Sequence, residues 1–419
     1  MKKFFILIVL TMEMISLSIP FPNHTKYSEN IIKPSIYTQN QLDDQVYKYY
    51  QKWKNRYLTK VSKKDQMYIN WNYLKRDWVE PQNAVTVSEA HGYGMLIFSI
   101  IGDKDKQAHQ IYDAMFNFFK AHPSSINPNL MAWQQINNNG KIVDTEDNDS
   151  AIDGDLDIAL SLIIADKQWG SNGKINYKKE ALNMINAIME SEVNHEDWIL
   201  QLGDWAHNDK DYMYSTRSSD FILNTISTFI KYDDKNSKKW EKVYNKIIKI
   251  SNFIFNNYSK ETGLLPDFLV KNSNGDYIPS QSNFLEDEND GNYNWNACRD
   301  PWRLSLDIIL GNKNNELYTQ LQTMNTWIEK KTNLNPSKIN PGYYLNGNKI
   351  IRDWEGTDIS FVAPFAVSAM INKNNQKWLN KLWDFMLYDD ETSFEDIEYF
   401  PNTIRMLVML IISGNWPKL

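Results

Sequence analysis

The chain has 419 residues and a formal net charge of −7, with a pI near 5.5 and no basic run, which excludes the electropositive footprint of a nucleic-acid-binding protein. Cys298 is the only cysteine, so no internal disulfide can form, and stability must come from a large core that this length can supply. The 15 Trp, 23 Tyr and 18 Phe provide more flat aromatic surface than a core alone requires.

Residues 1–19 open with Lys2 and Lys3, continue through an apolar run over 4–12 and reach Ser16-Leu17-Ser18. That is the layout of a secretory signal peptide, and the apolar run is too short for a bilayer span of ~20 residues. Export to the extracellular space is expected, with no membrane association after cleavage. Residues 20–419 contain no Gly/Ser/Pro-rich linker and are expected to form one domain and act as a monomer.

From there helical periodicity dominates. Trp240, Val243, Ile247, Ile250 and Ile254 follow steps of three and four residues, as do Tyr177, Ala181, Met184 and Ile188. Reading the same signal throughout predicts helices over 40–60, 87–101, 104–121, 155–166, 175–191, 217–231, 237–257, 299–311, 315–331, 359–371, 374–388 and 402–413. Strand-like alternation is scarce. Links after the even-numbered helices are short, as at Gly102-Asp103, Asp233-Asp234 and Asn372-Lys373. Links after the odd-numbered ones are mostly long and polar: 61–86, 122–152, 192–216, 258–298 and 332–358. In an array of antiparallel helix pairs, one face is then trimmed and the other carries nearly all the elaborated loops, where function concentrates. Six such hairpins fit an all-α, closed (α/α)6 barrel with its cleft on the long-loop face. An open solenoid would need a repeating motif, and none is present.

The even helices begin on that face. Ser88 and Glu89 open the second; Asp153, Asp155 and Asp157 open the fourth; Ser218, Ser219 and Asp220 open the sixth. Asn296, Arg299 and Arg303 open the eighth, after the acidic loop over 285–290. Each acid alone could be a helix cap stabilised by free N–H groups and the helix dipole. The spacing of Asp147, Asp149 and Asp153 lacks the glycine and closing Glu of a calcium-binding hand, so no metal or cofactor is expected. Trp133, Trp205, Tyr293, Trp295, Trp302 and Trp354 fall in the same segments. Carboxylates converging on an aromatic-lined cleft are what glycoside hydrolysis requires: one acid protonates the leaving oxygen, and another carboxylate activates water or attacks the sugar.

Two stretches sharpen this expectation. Ser88-Glu89-Ala90-His91-Gly92-Tyr93-Gly94-Met95, and residues 151–165 with Lys167-Gln168-Trp169-Gly170, resemble the two main motifs of glycoside hydrolase family 8. Asn294-Trp295-Asn296-Ala297-Cys298-Arg299-Asp300-Pro301-Trp302-Arg303 resembles a third block of that family. The resemblance implies a six-hairpin α/α barrel and an inverting endo-hydrolase of β-1,4-linked chains, acting on β-glucans or cellulose derivatives, xylan or chitosan. It implies that Glu89 is the proton donor and that Asp153 holds and distorts the sugar at the point of cleavage. Asn296 stands where many members carry an aspartate base, and in the subgroup with Asn there a loop Glu takes that role. Glu286 is the expected base, with Glu288 as the fallback. Tyr93, Trp133, Trp205, Asp220, Tyr293, Asn296, Arg299 and Trp302 are the expected substrate contacts. Two departures stand beside the catalytic acids. Ala90-His91 replaces a usual Gly-Gln, which is expected to change the shape next to Glu89, and Ile152 replaces a usual Ser or Thr. Residues 283–303 look closer to the glucanases than to the chitosanases, so β-glucan is the expected substrate and chitosan the alternative. A glycan-binding protein without catalysis is the alternative of another class.

Overall fold

The computed structural model describes residues 18–388 and 393–419. The expected signal peptide lies almost wholly outside the described residues. Twelve α-helices are present among them. The even-numbered helices are α2 (Ser88–Ile101), α4 (Ile152–Trp169), α6 (Leu223–Tyr232), α8 (Asp300–Leu310), α10 (Ile359–Ala369) and α12 (Tyr399–Ile412). Each packs on the next, and α12 returns to α2, so the six close an inner ring. The odd-numbered helices form an outer layer: α1 (Gln39–Tyr57), α3 (Ala108–Ala121), α5 (Tyr177–Ser191), α7 (Ser237–Tyr258), α9 (Asn315–Thr332) and α11 (Gln376–Tyr388). Within it, α3 lies on α2, α5 on α4, α7 on α6, α9 on α8 and α11 on α10, while α1 covers α12. This is the (α/α)6 barrel expected from the loop lengths.

The sequence assigns each helix to its layer. Outer helices are amphipathic; α7 buries Trp240, Val243, Ile247, Ile250 and Ile254 along one stripe and gives its lysines to solvent. Most inner helices are enclosed on nearly all sides, as in α10, where every residue is buried. In α2 every residue is buried except Glu89, and in α12 every residue except Phe400. One continuous apolar core runs between the two layers. No helix among the described residues is long and apolar enough to cross a membrane.

Several starts differ from expectation. Helix α3 begins at Ala108 rather than 104 and α12 at Tyr399 rather than 402. Helix α4 begins at Ile152 rather than 155, so Asp153 joins Asp155 inside its first turn. Helix α6 begins at Leu223, later than 217, because Ser215–Arg217 is a strand paired with Phe268–Lys271 and Ser218–Asp220 is one 3-10 turn. The long loops are not featureless. Ala84–Val87, Gln134–Asn138 and Lys141–Asp144 form an antiparallel sheet, and Ser215–Arg217, Phe268–Lys271 and Tyr277–Pro279 form another. These strands span three to five residues, too few for alternation to register.

Candidate active site

A cleft of ≈ 980 Å³ opens on the long-loop face. Its floor is made where the N-termini of α2 and α4 meet. The approach is close because of Gly154: a Cβ there would stand 2.5 Å from the backbone carbon of Ser88 and 2.6 Å from its Oγ. Gly92 repeats the arrangement from the other helix, since its Cβ would stand 2.9 Å from the Gly154 carbonyl oxygen. The Ser88 N–H is fixed by the carbonyl of Trp133 at 2.8 Å, which ties the start of α2 to the first sheet. Glu89 and Asp153 are thereby brought to the same spot.

Arg299 joins them. Its Nη1 donates to the Glu89 carboxylate and, at 3.2 Å, to Asp153 Oδ2. Its Nη2 donates to Asn296 Oδ1 at 2.9 Å and to Ser219 Oγ at 3.1 Å. Because the Asn296 oxygen faces Arg299, its Nδ2 faces Glu286 and donates to Oε2 at 2.7 Å. Glu89, Arg299, Asn296 and Glu286 therefore form one hydrogen-bonded chain across the cleft. Asp267 accepts from the backbone N–H groups of Asn294, Asn296 and Ala297 at 3.0, 3.1 and 2.7 Å, which holds the Asn296 turn. The acidic loop is ordered in the same way by Asp290, whose carboxylate accepts from the N–H groups of Leu285, Glu286 and Asp287 at 2.7, 3.0 and 3.0 Å.

The carboxyls on this floor are driven apart in acidity. Removal from water raises Glu89 to about 7, helped by the Asp153 charge and opposed by Arg299. Burial also pushes Asp153 upward, but Arg217, Arg299 and the Gly154 N–H more than offset it, and its carboxyl lies below the ordinary value. Glu286 is raised by the protein around it, against Arg217 and the Asn296 hydrogen bond, although its residue surface remains open to the solvent in the cleft. Glu89, raised to about 7, thus stands with Asp153 held as a carboxylate by guanidinium groups and with Glu286 held by the Asn296 amide across the cleft, an arrangement able to give a proton on one side and take one on the other.

The structure brings Glu89, Asp153, Glu286, Asn296, Arg299 and Trp133 together on the cleft wall. Glu288 is exposed and does not line the cleft. Five expected substrate contacts are placed elsewhere. Tyr293 is fully buried against Phe361 and Phe365, and Trp302 is fully buried with the Arg303 guanidinium 4.1 Å from its ring. Tyr93 lies one turn below Glu89 inside the barrel, where its hydroxyl accepts from Arg299 and Arg303 at 3.3 and 3.4 Å. Asp220 is fully buried and binds Arg217 Nε at 3.1 Å. Trp205 packs on Tyr212 in a satellite cluster outside the cleft. Residues of the helix starts and long loops were expected to face the cleft, and these side chains instead turn into the ring or the loop core. His91 likewise points away from the cleft, stacked on Phe118 with Nε2 at 2.9 Å from the Met115 carbonyl, so it does not reshape the surroundings of Glu89.

Sequence reasoning missed Arg217, Trp71 and Trp78, which line the cleft beside Trp295, Trp354 and Phe400. Trp71 and Trp78 had one available signal, two tryptophans in the first long loop. Arg217 had none, because its role depends on a strand pairing that brings it back under the acidic loop.

A closed α/α barrel holding a protonated glutamic acid against a second carboxylate, in a tryptophan-lined cleft, defines a glycoside hydrolase. The chain belongs to glycosyl hydrolases family 8, whose family model matches residues 35–414. It is 42% identical over 398 residues to a beta-glucanase of Niallia circulans, covering 95% of this chain and 91% of that protein. It is 37% identical over 409 residues to an endoglucanase of Bacillus sp. (strain KSM-330), covering 95% and 82%. Among solved structures, the apo beta-1,3-1,4-glucanase from Paenibacillus sp. X4 superposes with a TM-score of 0.87 at 40% identity, covering 96% of this chain and all of that one. A reducing-end-xylose releasing exo-oligoxylanase at 14% identity and a TM-score of 0.71 shares the fold.

Proposed function

We propose that the protein is a secreted, inverting endo-glucanase that cleaves β-1,4 linkages in mixed-linkage β-glucan and related cellulose-type chains. The observation that carries this reading is the chain of contacts from Glu89 through Arg299 and Asn296 to Glu286, which opposes a protonated acid to a solvent-accessible carboxylate. The high identity to a beta-glucanase and to a beta-1,3-1,4-glucanase, each over nearly the whole chain, supports the substrate class.

In this reading the tryptophans of the cleft seat successive sugar rings, and Asp153 holds the ring at the scissile bond. Glu89 donates its proton to the glycosidic oxygen as the bond to the anomeric carbon breaks. Glu286 takes a proton from a water on the opposite face, and that water oxygen bonds to the anomeric carbon with inverted configuration. Inversion requires the Glu89 and Glu286 carboxyls to flank room for a water, a separation of about 6.5–9.5 Å. Export rests on the composition of residues 1–19.

The test is release of reducing ends from mixed-linkage β-glucan, carboxymethyl-cellulose, xylan and chitosan, with the anomer of the first product followed by NMR. Glu89→Gln and Glu286→Gln are each expected to lower glucan turnover about 10²- to 10⁴-fold with folding intact. Wild-type turnover in either variant removes that residue from its role. Cleavage of chitosan alone keeps the mechanism and overturns the substrate. Binding of glucan with no product from any polymer supports a glycan-binding protein instead. The mature N-terminus of protein recovered from culture medium tests export.

A further inference from the structure

Arg217 and Arg299 are the two guanidinium groups whose charge reaches both Asp153 and Glu286, and Arg217 acts on each more strongly than Arg299 does. It leaves the strand Ser215–Arg217, which is pinned to Phe268–Lys271, and lines the cleft with its side chain 13% exposed. Its Nε is held by Asp220, at 3.1 and 3.3 Å from the two carboxylate oxygens, three residues along. That anchor leaves Nη2 directed at Asp153 Oδ2, 3.2 Å away, yet the same nitrogen is buried and makes no well-aligned hydrogen bond. Glu286 is close enough on the other side to feel its charge. A buried guanidinium tethered by one acid, with an unsatisfied donor turned toward a second and its charge felt by a third, is held for a purpose other than its own pairing.

We propose that Arg217 is a positioning residue for hydrolysis: anchored on Asp220, it fixes Asp153 and shares its charge with Glu286, so that both remain anionic opposite the protonated Glu89. The proposal rests on the base role assigned to Glu286 above. The charged groups around it are few. Asp153 also faces Arg299 and Arg303 and the carboxyl of Glu89; Glu286 also faces Asn296, Arg299 and Asp290; Asp220 faces Arg217, Asp153 and Arg299. Removing Arg217 withdraws one of the two guanidinium charges that stand 3.2 Å from Asp153, and a carboxylate losing such a neighbour becomes easier to protonate. Activity that needs those carboxylates ionised must then fail at a higher pH as solutions are made more acidic.

The experiment measures kcat and KM on soluble mixed-linkage β-glucan across pH for wild type, R217Q, R217K, D220N and E286Q, with circular dichroism as the check on folding. For R217Q the acid limb of kcat/KM is expected to move up by about one pH unit. Its kcat is expected to fall about 10- to 100-fold, with a much smaller change in KM, since misplacement at the reacting centre acts on the rate. R217K is expected to return the limb to the wild-type position and to recover kcat only partly, because lysine restores the charge but not the fork. D220N is expected to lower kcat without raising the limb, because Asp220, pushed up to about 6 by burial, is already largely neutral on the acid side. An unmoved limb in R217Q, or the same shift in R217K as in R217Q, overturns the proposal. If R217Q does not fold, wild-type kcat in D220N overturns it instead. E286Q separates this idea from the reading beneath it. Retained turnover in E286Q overturns the base assignment, whereas lost turnover there with an unmoved R217Q limb overturns only the role of Arg217.

Discussion

At the scale of residues, the floor of the cleft is a problem in keeping one proton. Glu89 contacts a guanidinium, which would ordinarily strip it, yet removal from water and the Asp153 charge outweigh Arg299 and leave its carboxyl at about 7. The acid form must be present for the leaving oxygen to be protonated, so the alkaline limb of kcat/KM is expected near pH 7, with activity falling as Glu89 ionises above it. D153N should draw that limb downward, since it removes the anion that helps hold the proton. A pH profile with full activity two units above neutral would show that a different group supplies the proton. Glu89 was legible because residues 88–95, with the acid at a helix start ahead of Gly92 and Gly94, resemble a main motif of the family. Glu286 was legible only as one of several acids in a charged loop. What singles it out is the Asn296 amide, whose orientation is fixed by Arg299, and no spacing in the chain reveals a hydrogen bond between side chains from two separate turns.

At the scale of elements, catalysis depends on how closely α2 and α4 cross at their N-termini. Glycine at 92 and 154 lets backbone lie on backbone, and in α4 the Gly154 N–H donates to Asp153 Oδ1 at 2.9 Å. Gly154→Ala has nowhere to put its methyl group except into Ser88, backbone included. It is expected to cost about 1–3 kcal/mol of stability. By displacing Glu89 it should lower kcat by up to about 100-fold. Thermal melts and kcat measured together check this; an unchanged kcat would mean that α2 yields without moving the acid. The helices themselves were largely legible, because the outer ones carry an apolar stripe and the inner ones bury long apolar runs such as those of α2, α10 and α12. The late start of α6 was not, since tertiary pairing of Ser215–Arg217 overrides a continuous helical pattern there. For the same reason Tyr293 and Trp302 could not be told from cleft residues: an aromatic at a helix start may face either the loops or the ring, and periodicity does not record which.

At the scale of the whole molecule, a second set of acids joins parts of the barrel that are distant in the chain. Asp155 of α4, Glu192 after α5 and Asp204 of the following loop are all buried, and no lysine or arginine among the described residues pairs with them. Ser150 binds both Glu192 and Asp204, at 2.6 Å through its hydroxyl and 2.9 Å through its N–H, while Asp155 accepts from the Met131 N–H at 3.0 Å. Asp155 and Glu192 also lie within hydrogen-bonding reach of each other, and burial raises both well above ordinary carboxyl values. A carboxyl whose folded value exceeds its unfolded one stabilises fully below the unfolded value, roughly 4, and loses that contribution as pH rises toward the folded value. The melting temperature is therefore expected to fall as pH rises above the unfolded value toward the raised folded ones. Asp155→Asn supplies the shared hydrogen at every pH and should flatten that slope. An identical slope in the variant would assign the pH dependence to other groups.

The ring also fixes when the enzyme comes into being. Helix α12 stands between α10 and α2, is covered by α1 from the other end of the chain, and gives Tyr399 and Phe400 to the cleft; Thr25 and Gly414 are joined there by a 2.7 Å backbone hydrogen bond. A growing chain that has exposed everything through α11 has Glu89 and Glu286, the proposed acid and base, but an unclosed barrel with one wall of the cleft missing. Hydrolytic competence therefore cannot build up gradually during synthesis; it arrives at the end, when the last helix meets the first.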